Sequence, residues 1–284
     1  MMDFAWGKRT YVMGIINITP DSFSGDGLLG QGDPVHAAVE QALAFAEQGA
    51  DILDVGGESS RPGSTPLSAD EELGRVLPVV RAIKQVSDLP ISVDTWKAEV
   101  AREAIHAGAD WINDIWALKA DPDMARTAAE LGCPVVLMHN RSRPGEVILR
   151  EGLGGSYQAE MYGDVVRDVI DDLTRAADLA LEAGIQKGKI ILDPGIGFGK
   201  TVRQNLDLIN RLNEIRALGY PVLLGPSRKS FIGEVLNLPA QERLEGTLAA
   251  LSVGIARGAD IIRVHDVRAA ARTARMTDAL VRTA

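Results

Sequence analysis

The sequence predicts an α/β fold, a single (β/α)8 TIM barrel, from three observations. Eight short apolar runs recur along the 284 residues, each followed by a stretch of helical character. Each run ends on a polar or glycine-rich edge. The length is close to the roughly 250 residues typical of such a barrel. Parallel strands covered by helices read as near-continuous apolar runs, and the working face of a closed barrel lies at the C-terminal ends of its strands. One strand ending in Asp or Asn is ordinary, because those residues favour turns. Eight such edges on one rim mark a site.

In chain order, the runs are residues 11–16 into Asn17, 52–53 into Asp54, 91–93 into Asp94, and 111–112 into Asn113 and Asp114. They continue with 135–138 into His139, 190–192 into Asp193, 222–224 into the segment 225–229, and 261–264 into His265. Helix signals fill the gaps. Asp33 before Pro34 reads as an N-cap with proline at the first helical position, and Gly49 reads as the stop. Ser68 with Glu71, and Thr201 with Gln204, read as capping boxes opening helices to about residue 86 and to near Gly219. Further helices are expected over 97–107, from Asp121–Pro122 to Gly132, and over about 161–183, 241–257 and 266–281. A Gly-Ala-Asp unit recurs at 49–51, 108–110 and 258–260, each time as a helix stop, a tight turn and a new strand. No linker or composition shift divides the chain, so one domain over 1–284 is expected.

The net charge of −9 argues against a nucleic-acid partner, which calls for a basic face. It leaves room for a small anionic substrate held by a local cationic cluster. No apolar stretch approaches the roughly 18 residues of a membrane span. Residues 1–10 lack the apolar core of a secretory signal, so a cytoplasmic location is expected. Cys133 is the single cysteine, which excludes an intramolecular disulfide and a Cys-based zinc cluster; before a strand it reads as a structural thiol. The four His have no zinc-ligand spacing.

Connections 19–32, 58–66 and 140–158 are longer or richer in glycine than a scaffold requires, and all follow strands. They are expected over the mouth, the first two as lids carrying Asp21, Ser22, Phe23 and Arg61. Asp94, Asn113 and Asp193 arrive at the mouth from three strands. Together they suit a ring edge with a row of N–H donors and ring acceptors, as in a pterin or guanine; turn caps, helix caps or metal-binding acids are the alternatives for each alone. The segment DPGIGFGK at 193–200 has neither P-loop nor Rossmann spacing, so its glycines read as close backbone approach or sharp turning.

The cations are Arg61, Arg228, Lys229, Arg263 and His265. Arg263 and His265 share a face of the last strand, the usual phosphate position of this fold, with ion pairing as the plain alternative. Asn17 offers an amide oxygen to Mg²⁺, although a lone Asn is weak evidence for a metal. His139 reads first as a hydrogen-bonded structural residue and second as a base. Trp111 and Trp116 read as core or rim packing.

The segments MGIINITPDSFS at 13–24 and DVGGESSRPG at 54–63 resemble the two signatures of the dihydropteroate synthase family. ISVDT at 91–95, IND at 112–114, LMH at 137–139, LDPGIGFGK at 192–200, GPSRKSF at 225–231 and RVH at 263–265 follow in the family's order, so the resemblance spans about residues 10–268. It implies a transferase barrel of folate biosynthesis that joins 7,8-dihydropterin-6-ylmethyl diphosphate to p-aminobenzoate and releases diphosphate. Mg²⁺ and a homodimer through helices late in the chain are implied with it.

Carried onto this sequence, the resemblance assigns the pterin to Asp94, Asn113, Asp193 and Lys229. Arg263 covers the ring face and contacts anion, and Asn17 and His265 hold the Mg²⁺-diphosphate end. Ser60 and Arg61 fall near the diphosphate and p-aminobenzoate, while Phe23, Pro62 and Ser227 shape the p-aminobenzoate pocket. Two departures stand out. Ser60 stands where many relatives have Thr, and Asn140–Arg141 stands where many have Met-Gln. The expected chemistry is SN1-like, with Mg²⁺ easing departure of diphosphate and Arg61 with the 19–32 loop excluding water. Two other readings share the pterin positions: a methyltetrahydrofolate:corrinoid methyltransferase-like barrel, which has no use for Arg61 or a diphosphate site, and a non-catalytic pterin-binding paralogue, which should have lost some of Asn17, Arg61, Lys229 or His265.

Overall fold

Each apolar run forms a strand, and the strands close on themselves. The computed structural model describes residues 4–19, 27–28, 33–59, 63–143, 146–150 and 154–282. In chain order the strands are β1 (Tyr11–Asn17), β2 (Ile52–Gly56), β3 (Ile91–Asp94), β4 (Trp111–Asp114), β5 (Val135–Met138), β6 (Val147–Arg150), β7 (Gly154–Tyr157), β8 (Ile190–Asp193), β9 (Leu223–Leu224) and β10 (Ile261–Val264). Eight of them form one sheet in the order β8-β5-β4-β3-β2-β1-β10-β9, with every pairing parallel. A parallel bridge between Leu192 and Val222 joins the two ends, supported by a 2.9 Å bond from Leu192 N to the Pro221 carbonyl. The predicted barrel is present.

The helices are α1 (Pro34–Gln48), α2 (Ala69–Lys84), α3 (Ala98–Ala107), α4 (Met124–Leu131), α5 (Val165–Glu182), α6 (Val202–Asn210), α7 (Leu212–Arg216), α8 (Ser230–Leu236), α9 (Leu244–Ala256) and α10 (Val267–Val281). The capping signals act as the sequence predicts. Asp33 accepts from Val35 N, and both capping boxes, Ser68 with Glu71 and Thr201 with Gln204, are complete. Gly49, Gly108 and Gly258 take the left-handed backbone required at the start of the repeated Gly-Ala-Asp turn.

Three expectations are corrected. The single helix expected from Thr201 to near Gly219 breaks at Arg211, whose side chain pairs with Asp164 and Glu214. Helix α8 and the antiparallel hairpin β6–β7 are additions to the predicted set. Asp121 caps the neighbouring helix α3 by accepting from Ala98 N, so α4 starts later than expected, at Met124.

The core has two layers. Helices and the outer sheet surface share the large one, which includes Val12, Leu53, Val93 and Ile262. Inside the barrel, Tyr11, Met13, Ile52, Trp111, Val136, Ile191, Leu223 and Ile261 form the second. Phe4 and Trp6, stacked at 5.0 Å, pack against it, with the Phe4 ring edge-on to Tyr11 and Trp111. Both rings meet strand starts, so they floor the barrel at the end opposite the mouth. No described helix is long and apolar enough to cross a membrane.

Candidate active site

Side chains along a strand alternate between faces, so a step of two from an interior apolar residue lands on the interior again, nearer the mouth. From Ile52 that step reaches Asp54, from Trp111 Asn113, from Ile191 Asp193, and from Ile261 Arg263. The polar edge legible in the sequence is therefore a ring of inward side chains resting on an apolar layer. Asp54, Asn113 and Asp193 are buried.

The ring is organised by Arg263. Its Nε donates to Asp54 Oδ2 at 2.6 Å and its Nη2 to Asp94 Oδ2 at 2.6 Å. Asn113 Nδ2 also donates to Asp54 Oδ2, at 3.2 Å. Burial pushes the Asp94 carboxyl up to about 7, against the pull of the Arg263 guanidinium. Asp54 Oδ1 is buried with no hydrogen-bond partner among the described residues. Two carboxylates facing one guanidinium leave surplus acceptor capacity in the ring, which suits a ligand edge rich in N–H donors. Asp54 ends the second apolar run but received no role from the sequence; its contact with Arg263, 209 residues away, becomes visible only when the barrel closes.

Above the ring lies a cavity of about 180 Å³, lined by Asn17, Glu58, Asp94, Phe198, Ser227, Lys229, Arg263 and His265 among others. Lys229 Nζ donates to the Ile196 carbonyl and lies 4.8 Å from the centre of the Phe198 ring. Burial lowers its ammonium to about 8, while Asp193 pulls it back up. Asp193 Oδ1 accepts from Gly195 N at 2.7 Å. Ser227 Oγ lies 2.9 Å from His265 Nδ1, and His265 N donates to the same hydroxyl at 3.2 Å. Arg228 is turned away into a bidentate pair with Asp266, which ties the loop after β9 to the start of α10.

The segment 193–200 is held from below. The Lys200 ammonium donates to the Gly195 and Phe198 carbonyls at 2.8 and 2.9 Å and to His139 Nδ1 at 3.0 Å. The His139 ring proton therefore belongs on Nε2, which lies 3.1 Å from Asp172 Oδ2. Burial and then the Lys200 charge lower His139 to about 4, so the ring is neutral and serves as a strut. Its first reading, a bonded structural residue, holds. A Cβ on Gly195, whose φ is +67°, would sit 1.8 Å from the His139 carbonyl oxygen. That glycine is required by backbone contact and by its left-handed conformation.

Glu58 anchors the start of the 58–66 connection. It accepts from Trp96 Nε1 at 3.1 Å, Leu67 N at 3.0 Å and Lys97 Nζ at 2.5 Å, and Lys97 also pairs with the buried Glu72. Phe23, Ser60, Arg61 and Pro62, with Asp21 and Ser22, lie outside the described residues. Asp114 accepts from Trp116 N and Leu118 N and so belongs to the turn after β4. Cys133 is buried, and burial pushes its thiol up to about 11, in keeping with a structural role. Trp111 lies in the barrel interior, as core packing.

Asn17 bears on the Mg²⁺ that the family resemblance implies. Among the described residues no group of three or more His, Cys, Asp or Glu side chains could hold a metal. A Cβ built on Gly56 would have Asp94 Oδ2 at 3.9 Å and Asn17 Oδ1 at 4.0 Å, so those oxygens converge over that glycine. One amide oxygen at the mouth fits an ion that keeps several waters and takes its remaining ligands from substrate phosphates.

A family model described as pterin binding enzyme matches residues 13–265. The dihydropteroate synthase of Clostridium beijerinckii is 49% identical over 281 residues, which cover 99% of this chain and 97% of that one. A structure of the Clostridium difficile dihydropteroate synthase in the presence of pteroic acid has a TM-score of 0.88 and 44% identity, covering 99% of this chain and 100% of that chain. The Xanthomonas albilineans enzyme with 4-aminobenzoic acid has a TM-score of 0.87 and 42% identity, covering 98% and 95%. By a family model that spans residues 13–265, by 49% identity over nearly its full length and by a shared fold, this chain belongs to the dihydropteroate synthase family of pterin-binding enzymes.

Proposed function

We propose that the chain condenses 7,8-dihydropterin-6-ylmethyl diphosphate with p-aminobenzoate, giving 7,8-dihydropteroate and diphosphate. The observation that carries this reading is the Asp54–Arg263–Asp94 bridge beneath a cavity that also meets Lys229, Ser227 and His265. Asp94, Asn113 and Asp193 supply acceptors and an amide for the pterin edge, and Lys229 meets the pterin beside Asp193. Arg263 underlies the ring while its guanidinium faces anion.

An arylamine is neutral near pH 7 and already nucleophilic, so the difficult event is loss of diphosphate. His265 and Arg263 stabilise charge gathering on the leaving oxygens. Asn17 would hold Mg²⁺ at the diphosphate, where the ion would supply further charge neutralisation. Arg61 and the 19–32 connection exclude water, so that an SN1-like carbon centre is captured by the amine. By family resemblance, Ser60, Phe23, Pro62 and Ser227 serve p-aminobenzoate binding.

A homodimer through α9 and α10 is part of the proposal. Val253, Met276, Leu280 and Val281 leave apolar surface exposed on that face, more than a face bathed in water favours. Cytoplasmic placement is likewise proposed. The test is an assay of dihydropteroate formation from the two substrates, with and without Mg²⁺, and with a sulfonamide competing against p-aminobenzoate. Product that depends on the ion and on p-aminobenzoate is expected; a chain that binds pterin but forms no product would reduce it to a binding paralogue.

A further inference from the structure

The hairpin β6–β7 stands at the mouth without a task in the proposed reaction. Its second strand, Gly154–Tyr157, borders the same cavity as Lys229 and Ser227. Two glycines and a serine are poor strand formers, and glycine in a strand marks a place where a ligand or another backbone comes close. The Tyr157 ring stacks on Phe198, with centroids 5.7 Å apart and an interplanar angle of 26°. Phe198 also meets the Lys229 ammonium, 4.8 Å from its ring centre.

The hairpin is also fastened in place. Gln158 N donates to the Glu146 carbonyl at 2.9 Å across its base, and Glu160 N donates to the Gly199 carbonyl at 3.0 Å. Arg143 bridges Glu146 and Glu160, both at 3.1 Å. The wall is therefore tied to the segment that carries Phe198. Burial, then the charge of Glu58, raises the Tyr157 phenol to about 12, so it presents a neutral ring at working pH.

We infer that β7 is a wall of the second-substrate pocket and that Tyr157 is a specificity-determining residue there, its ring with Phe198 forming an aromatic face against which the arylamine packs. The inference rests on the proposed reaction and extends it to a segment that sequence reading left unassigned. An aromatic contact of this kind contributes about 0.5–1.5 kcal/mol beyond its buried area, or roughly 2- to 13-fold in affinity.

The experiment is steady-state kinetics at saturating pterin diphosphate with Tyr157→Ala, Tyr157→Phe and Ser156→Phe, beside calorimetry of pterin binding. Tyr157→Ala should raise KM for p-aminobenzoate roughly 2- to 13-fold, leaving kcat and pterin affinity near wild type. It should also raise the relative kcat/KM for p-aminobenzoate analogues carrying a bulky ring substituent. Tyr157→Phe keeps the ring and should behave as wild type. Ser156→Phe, which keeps Tyr157 and adds bulk to the same wall, should raise KM for p-aminobenzoate as well. Unchanged KM in both Tyr157→Ala and Ser156→Phe, or equal losses for both substrates, would overturn the wall alone. A wild-type chain that forms no product overturns this inference together with the reaction on which it rests.

Discussion

Lys229 and His139 are both buried basic groups, and their surroundings assign them opposite work. Lys229 keeps its charge beside Asp193 and faces the cavity. Lys229→Ala should weaken pterin binding by about 2–5 kcal/mol, or roughly 30- to 5,000-fold, as expected when one partner of a desolvated charged pair is lost; titration calorimetry measures it. His139 instead holds the Lys200 strut as a neutral ring, with its value lowered from 6.5 to about 4. Between those values the unfolded chain binds the proton and the folded chain does not. The contribution of His139 is therefore fully present above about pH 6.5 and lost as pH falls toward 4, at about 1.4 kcal/mol per unit. Denaturant midpoints measured from pH 7 to 4 should fall, and His139→Asn should flatten that fall. The sequence made Lys229 legible because the motif around it carries its role. It left Lys200 unread because a Lys in a glycine-rich segment acquires meaning only once the segment folds its own Gly195 and Phe198 carbonyls onto it and the His139 imidazole arrives from a different strand.

At the scale of elements, the connections after β5 and β8 form one body. Gly195 lies against the His139 carbonyl, and Glu160 bonds to Gly199. Gly195→Ala should dislodge the 193–200 segment, costing about 2 kcal/mol or more in stability by steric clash and left-handed strain, and lowering pterin affinity in the same protein. Thermal unfolding and calorimetry on one sample check both. Helix starts were legible because caps are local: Ser68 and Glu71 need only each other. The break at Arg211 was not, since it coincides with a pairing to Asp164, 47 residues earlier. The strand β7 was illegible for a related reason. Glycines and a serine carry no strand signal of their own, and what holds them is the mouth of the barrel.

For the whole molecule, the barrel was readable because closure repeats one local pattern eight times, whereas the proposed dimer face rests on family likeness. Replacing Met276 and Leu280, both exposed on α10, by Asp should leave a monomer in sedimentation experiments if that face joins two copies. The floor makes a separate prediction. Trp6 stacks on Phe4 and lies edge-on to Tyr11 and Trp111. Trp6→Ala should lower unfolding free energy by about 2 kcal/mol through lost aromatic contacts, with both KM values unchanged. That aromatic floor shares no side chain with the cavity lining. Selection can therefore change side chains that only line the cavity, such as Ser227, without drawing on the aromatic contacts of the floor. A lineage pressed by an inhibitor that mimics the arylamine can explore replacements around Ser227 or Tyr157 at little risk of unfolding, and the tolerance for that drift is stored at the far end of the molecule.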